Sequence, residues 1–140
     1  MVCATPTFTS LKSDPTVIAA LASAWRDSLP GDARQRHEEG GWIYLDTTTC
    51  AISVIRAARG ARAAIDLSNP PAVAGSVVVG KFHTHPNPTA EGWEPGPSDT
   101  DRRTDAIHGV PDLIRADDGI HHSGPVSRRG GLGGVPGYPP

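Results

Sequence analysis

The order of apolar and polar positions divides the 140 residues into one amphipathic stretch followed by several short β-like runs. From Pro15 to Leu29 the residues Val17, Ile18, Leu21, Ala24, Trp25 and Leu29 recur at helical spacing, which predicts a helix with one apolar stripe. Ser13 or Asp14 can cap it, Pro15 suits its first position, and Pro30-Gly31 stops it. Trp25 is expected in the core. After a polar linker at 32–37, the runs 42–45 and 51–55 read as strands joined by a turn at Asp46-Thr47-Thr48-Thr49. A third run, 61–67, ends at Ser68-Asn69-Pro70-Pro71, and a fourth, 73–79, leads as a buried strand into Lys81-Phe82-His83-Thr84-His85-Pro86. A helix is expected from Ser98 to about Ile107, and the runs 110–115 and 120–122 flank Asp117-Asp118-Gly119, a short hairpin turn. Residues 1–12 are expected to be a loose lead-in, and 127–140, rich in Gly, Pro and Arg, a flexible tail. Strands outnumber helices, which predicts a single α+β domain over 13–126.

Composition narrows the function classes. A chain of this length buries about two thirds of its unfolded surface and needs no staple. Net charge is −2, with thirteen basic and fifteen acidic residues scattered along the chain, so the footprint of a nucleic-acid binder is absent. The longest weakly polar stretch, 72–80, is too short to span a bilayer, and no basic-then-apolar leader opens the chain. A soluble, cytoplasmic protein without a membrane partner is expected. Cys3 and Cys50 lie far apart with no pairing pattern, which suits a reducing compartment and makes Cys50 a core residue.

The chemistry concentrates where the fourth run ends. Residues i and i+2 of an extended chain point to one side, so His83 and His85 enter the same space and Thr84 faces away. Two imidazoles and a carboxylate from a second element make a three-ligand zinc site with an open fourth position. Asp101 is the natural third ligand, three residues after Ser98 at the start of the expected helix. Ser98-x-x-Asp101 is also close to a capping box, which requires no metal. Asp99 and Asp105 are rival ligands. The remaining histidines, His37, His108, His121 and His122, read as surface or packing residues, with His108 at a helix end that favours a cation. A barrel amidohydrolase would need about 250 residues, the cysteine pair of zinc deaminases is missing, and Glu91 lies too far from His85 to suit a cupin well.

His83-x-His85-Pro86 followed by Ser98-x-x-Asp101 resembles the metal signature of the JAB/MPN (JAMM) metalloproteases. Glu38-Glu39-Gly40-Gly41-Trp42-Ile43 is similar to the glutamate and small residues which that family carries upstream. The resemblance spans residues 37–124. It implies an MPN fold, a curved mixed sheet flanked by helices, with one Zn2+ held by His83, His85 and Asp101. It also implies Glu38 as the general base and acid, and Ser98 as donor to a developing oxyanion. On a strand Glu39 would face the other way. The implied reaction is hydrolysis of a peptide or isopeptide bond at the Gly-Gly tail of a ubiquitin-like protein; processing of a sulfur carrier and a non-catalytic MPN scaffold stay open. Eleven residues, 87–97, separate Pro86 from Ser98, a longer spacer than the family's usual one. Pro88, Pro95 and Pro97 should stiffen this loop into a wall. Trp93 is its one large apolar surface, able either to contact substrate or to pack the loop, and Glu91 or Glu94 could approach the metal. Arg128-Arg129-Gly130-Gly131 looks like the end of a ubiquitin-like protein, although a flexible extension is the simpler reading.

Overall fold

The β-like runs assemble into a sheet whose middle strands are covered on both faces. The structure, a computed structural model, describes residues 2–140. Strand β1 (Gly40–Asp46) forms a hairpin with β2 (Ile52–Arg56), and β3 (Ser76–Thr84) pairs antiparallel with the other side of β1. Helix α3 (Asp99–His108) carries the chain across to β4 (Asp112–Ala116), parallel to β3, and β5 (Gly119–Ser123) returns antiparallel at the edge. The order is β2-β1-β3-β4-β5, so the chain is an α+β domain with a mixed five-stranded sheet flanked by helices. Among the described residues no helix is long and apolar enough to cross a membrane.

One residue decides which face of the sheet carries the histidines. The β1–β3 register passes from Ile43↔Gly80 to Tyr44↔Val78, leaving Val79 as an extra residue. A bulge of this kind reverses the alternation of side chains beyond it. Val77 and Val79 therefore share the core under the helices with Phe82, an even-numbered residue. Lys81 and His83 are turned to the opposite face. At this bend a Cβ on Gly80 would lie 2.9 Å from Leu11 Cδ1, so a larger residue there would displace the Leu11 side chain.

That Leu11 corrects the loose lead-in. Phe8–Ser13 forms α1, closed by a reciprocal capping box between Thr7 and Ser10, and Leu11 is buried in the core. Helix α2 (Pro15–Asp27) starts at Asp14, whose carboxylate accepts from Thr16 and Val17 amides. Its stripe is narrower than expected: Val17, Leu21 and Ala24 are buried, while Ile18 and Leu29 are exposed. Trp25 is not a core residue. It lies half-buried with the Arg115 guanidinium 4.2 Å from its ring centroid.

Two further expectations are corrected. Cys3 and Cys50 form a disulfide, because the turn after β1 brings Cys50, at φ 64°, beside the amino-terminal segment. The argument for a reducing compartment falls with it. The run 61–67 forms no strand, since its backbone pairs with Glu38 and then curls on itself: Glu38 N–H donates to Ala61 O at 2.8 Å and Ala61 N–H to Ala64 O at 2.7 Å.

The tail is folded as well. Arg128 is buried and its guanidinium donates to the carbonyls of Val78 (2.8 Å), Gly131 (2.9 Å), Val135 (3.0 Å) and Gly137 (2.5 Å). Five fixed donors on one side chain can organise a segment that has no ladder of its own. Arg129 donates to Ala106 and Ile107 carbonyls at the end of α3, and the Tyr138 ring stacks on His108 at 4.1 Å. The Arg-Arg-Gly-Gly sequence is thus internal structure.

Candidate metal centre

Three parts of the chain deliver the site. His83 is the penultimate residue of β3, His85 follows its end, Asp101 lies in the first turn of α3, and Glu38 stands two residues before β1. The glycines after Glu38 and Glu39 have a steric reason: a Cβ on Gly40 would meet Phe82 O at 2.3 Å, and one on Gly41 would meet Ile55 O at 2.2 Å. Only glycine lets β1 lie this close to both neighbours. The structure brings together His83, His85, Asp101 and Glu38 as the sequence proposed.

The Nε2 atoms of His83 and His85 are 3.1 Å apart. Asp101 faces both, with Oδ1 3.5 Å from His83 Nε2 and Oδ2 3.2 Å from His85 Nε2. One oxygen of Glu38 lies with the two histidine ligand atoms in a set within 4.8 Å of one another. The outer partners fix the rings. His83 Nδ1 is 3.2 Å from Asp112 Oδ1, and His85 Nδ1 is 3.2 Å from Pro95 O. A carbonyl only accepts and a carboxylate at that position also accepts, so each Nδ1 carries the proton. Both Nε2 atoms thus face each other and Asp101. Two imidazoles and two carboxylates, with outer-sphere acceptors on both rings, form a group that could hold a metal ion.

Burial pushes the Glu38 carboxyl up to about 7, against the pull of His83 and His85. Burial also opposes ionisation of Asp101, but hydrogen bonds from His83 and His85 outweigh it and hold that carboxyl well below the usual range. For His83, burial disfavours the cation, while Asp112 and Asp101 overcome it and raise the imidazole's proton affinity.

Ser98 is the helix cap. Its Oγ accepts from Asp101 N–H at 3.0 Å and its own N–H donates to Asp101 Oδ2 at 2.9 Å, a complete capping box that also aims the carboxylate. Of the rivals, Asp99 is exposed and paired with Arg102, and Asp105 is buried with Oδ1 2.5 Å from Lys81 Nζ. Glu91 pairs with Arg36 at 3.1 Å, and Glu94 sits on the cavity rim. His37 is buried against Glu39.

The sequence reading missed Asp112, Lys81 and the Pro95 carbonyl. A charged residue inside an apolar run, as in Val110-Pro111-Asp112-Leu113-Ile114, is a usable signal, because such a charge must be paired. Nothing in the sequence marks a backbone carbonyl. His108 is also corrected. Burial, then Lys81 with Nζ 2.8 Å from its Nδ1, lowers its pKa from 6.5 to about 4, so it is neutral. Between those values the unfolded chain binds the proton and the folded chain does not. The His108 contribution is therefore complete above about 6.5 and lost as pH falls toward about 4. Relative to His108→Phe, which keeps a ring to stack on Tyr138, the wild type is expected to lose melting temperature progressively across that window. A pH-independent difference between the two proteins would contradict it.

A cavity of about 570 Å3 opens over the centre. Ala63, Ala64, Ile65 and Leu67 line one wall, Thr100 and Thr104 of α3 another, and the 87–97 loop with Trp93 a third. The loop is tied on several sides: Thr89 N–H and Oγ1 donate to Asp117 Oδ2, Asn87 Nδ2 donates to Arg62 O, and Glu91 holds Arg36. Comparison with known proteins finds no matching family model, curated protein or solved structure.

Proposed function

We propose that this chain is a zinc-dependent peptidase or isopeptidase of the JAB/MPN type, cleaving at the carboxy-terminal tail of a ubiquitin-like protein. The observation that carries the reading is the convergence of the His83 and His85 Nε2 atoms on Asp101, beside a buried Glu38. His83, His85 and Asp101 would hold the metal, which supplies Lewis-acid chemistry: it polarises a carbonyl and acidifies a water. Glu38 would act as the base that takes a proton from the attacking water and returns it to the departing nitrogen, a task suited to a carboxyl whose burial has raised its proton affinity. Ser98 accepts through Oγ from Asp101 N–H, which leaves its hydroxyl proton to donate to the substrate carbonyl oxygen. The MPN fold is part of this proposal, resting on a mixed sheet with Glu38 before β1, the histidines at the end of β3, and Ser98 and Asp101 at the start of α3.

Metal analysis after dialysis tests the ligand set. The wild type should retain one zinc per chain and Asp101→Ala should lose it, together with zinc-dependent cleavage of a fluorogenic ubiquitin-like tail. Glu38 also lies within ligand reach. Full retention of zinc by Asp101→Ala, with loss in Glu38→Gln, would give Glu38 the third ligand place and overturn the assignment.

Trp93 is 41% exposed and lines the cavity, which favours substrate contact over packing of the loop. Trp93→Ala should lower kcat/KM by about 10- to 100-fold, as for an interface anchor, with melting nearly unchanged. An unchanged kcat/KM with a lowered melting temperature would make it a packing residue.

A further inference from the structure

Thr84, the residue between the two histidines, closes a hydrogen-bond path on the opposite face of the sheet. It is the last residue of β3 and fully buried, as is Ser28 at the end of α2. Ser28 Oγ lies 2.8 Å from Ala24 O and 2.5 Å from Thr84 Oγ1. A hydroxyl has one proton, and the Ala24 carbonyl can only accept, so Ser28 spends its proton there. Thr84 must then donate to Ser28, and its lone pair accepts Glu39 N–H at 3.0 Å. Thr84 N–H donates in turn to Glu39 O at 2.9 Å. Both backbone groups of Glu39 are bound by one residue.

Glu38 and Glu39 precede the first residue of β1. At the start of a strand the ladder offers least restraint, and the chain opens there at low free-energy cost. The side-chain bond from Thr84 adds a restraint beyond the regular pairing, next to the peptide that carries Glu38. On its other side the Glu38 backbone pairs with residues 60–61, which belong to an irregular segment. Sequence alternation gives the path its direction: Thr84 points to α2 because His83 and His85 point to the cavity.

Resting on the reading of Glu38 as the base, we infer that Thr84 and Ser28 are positioning residues that fix the Glu38 segment against the histidine-bearing end of β3, anchored to α2. They touch neither metal nor substrate. Misplacement of a reacting group by about 1 Å can cost on the order of 100-fold in rate, which is how a hydroxyl on the far face would act on turnover.

Thr84→Val keeps the branched shape and strand preference while deleting the hydroxyl, and Thr84→Ser keeps the hydroxyl. Amide hydrogen exchange reads the restraint without any substrate: Glu39 N–H should exchange about 10-fold or more faster in the valine variant and at the wild-type rate in the serine variant. With zinc bound, the valine variant should keep one zinc per chain and a KM near wild type while kcat falls about 10- to 100-fold, and the serine variant should recover kcat. Unchanged exchange at Glu39, or faster exchange with an unchanged kcat, would overturn the inference. Loss of zinc from the valine variant would do so too, by assigning Thr84 to the ligands instead of the base. A wild type that binds no zinc and cleaves nothing fails separately, at the reading of the centre itself.

Discussion

Replacing Glu38 by glutamine is expected to abolish measurable cleavage while leaving one zinc per chain and an intact fold. The amide has nearly the shape of the carboxylate but cannot take a proton from water, and a general base typically contributes about 10²–10⁴-fold. The environment makes the contrast sharp. Glu38 is buried beside Asp101 and Asp112, whose charges raise its proton affinity further, so a neutral side chain there should not lower the melting temperature. Glu39 supplies the control. Its Oε2 is 2.5 Å from His37 Nε2 and its Oε1 is 2.7 Å from Arg56 Nη2, on the face away from the cavity. Glu39→Gln should lower the melting temperature and leave the zinc-loaded rate within a few-fold of wild type. Steady-state rates and thermal unfolding of the two variants, at measured zinc content, decide between them. The reverse pattern would show that the catalytic register is off by one residue.

Removing the Cys3–Cys50 bridge should cost about 4 kcal/mol of stability. The cysteines are 47 residues apart, and loop-closure entropy for a loop of that size lies between the roughly 3 kcal/mol of a 15-residue loop and the roughly 4.7 kcal/mol of a 100-residue loop. With an unfolding entropy of about 2.1 cal/mol/K per residue, the melting temperature should fall by about 10–15 °C. Bridge and centre are at opposite ends of β1: Cys50 follows its last residue by four positions and Glu38 precedes its first by two. At about 3.3 Å per residue they are on the order of 20 Å apart. The double variant Cys3→Ser/Cys50→Ser should therefore turn over substrate normally at 25 °C and inactivate early on heating. Calorimetry of the wild type with and without reductant, beside the double variant, checks this. Equal melting temperatures in all three would show that the bridge contributes nothing to folding.

These two expectations draw on different kinds of information. The Glu38 prediction was visible in the residues, because a reaction constrains side-chain type and local spacing, and both are written along the chain. His83 and His85 share a side by strand geometry alone, and Ser98-x-x-Asp101 specifies a helix start whether or not a metal is bound. The strands 42–45, 51–55, 110–115 and 120–122 were legible for a similar reason, since short β-like runs and the turn residues that bound them act within a few positions.

Contacts between distant residues were not legible. No local feature announces that Cys3 meets Cys50, that Asp112 supports His83, or that Pro95 O orients His85. The run 61–67 has the composition of a strand yet pairs with the Glu38 backbone instead of a sheet edge, because tertiary pairing overrides a weak local preference. The Gly- and Pro-rich tail has no apolar period, but one buried arginine collects its carbonyls and orders it. The sequence by itself determined that His83 and His85 share one side of the chain, since the spacing His83-x-His85 is a local property. Only the tertiary structure decided where that centre faces. The single extra residue at Val79 reverses the alternation of β3, and without it the histidines would have pointed into the core beneath α2.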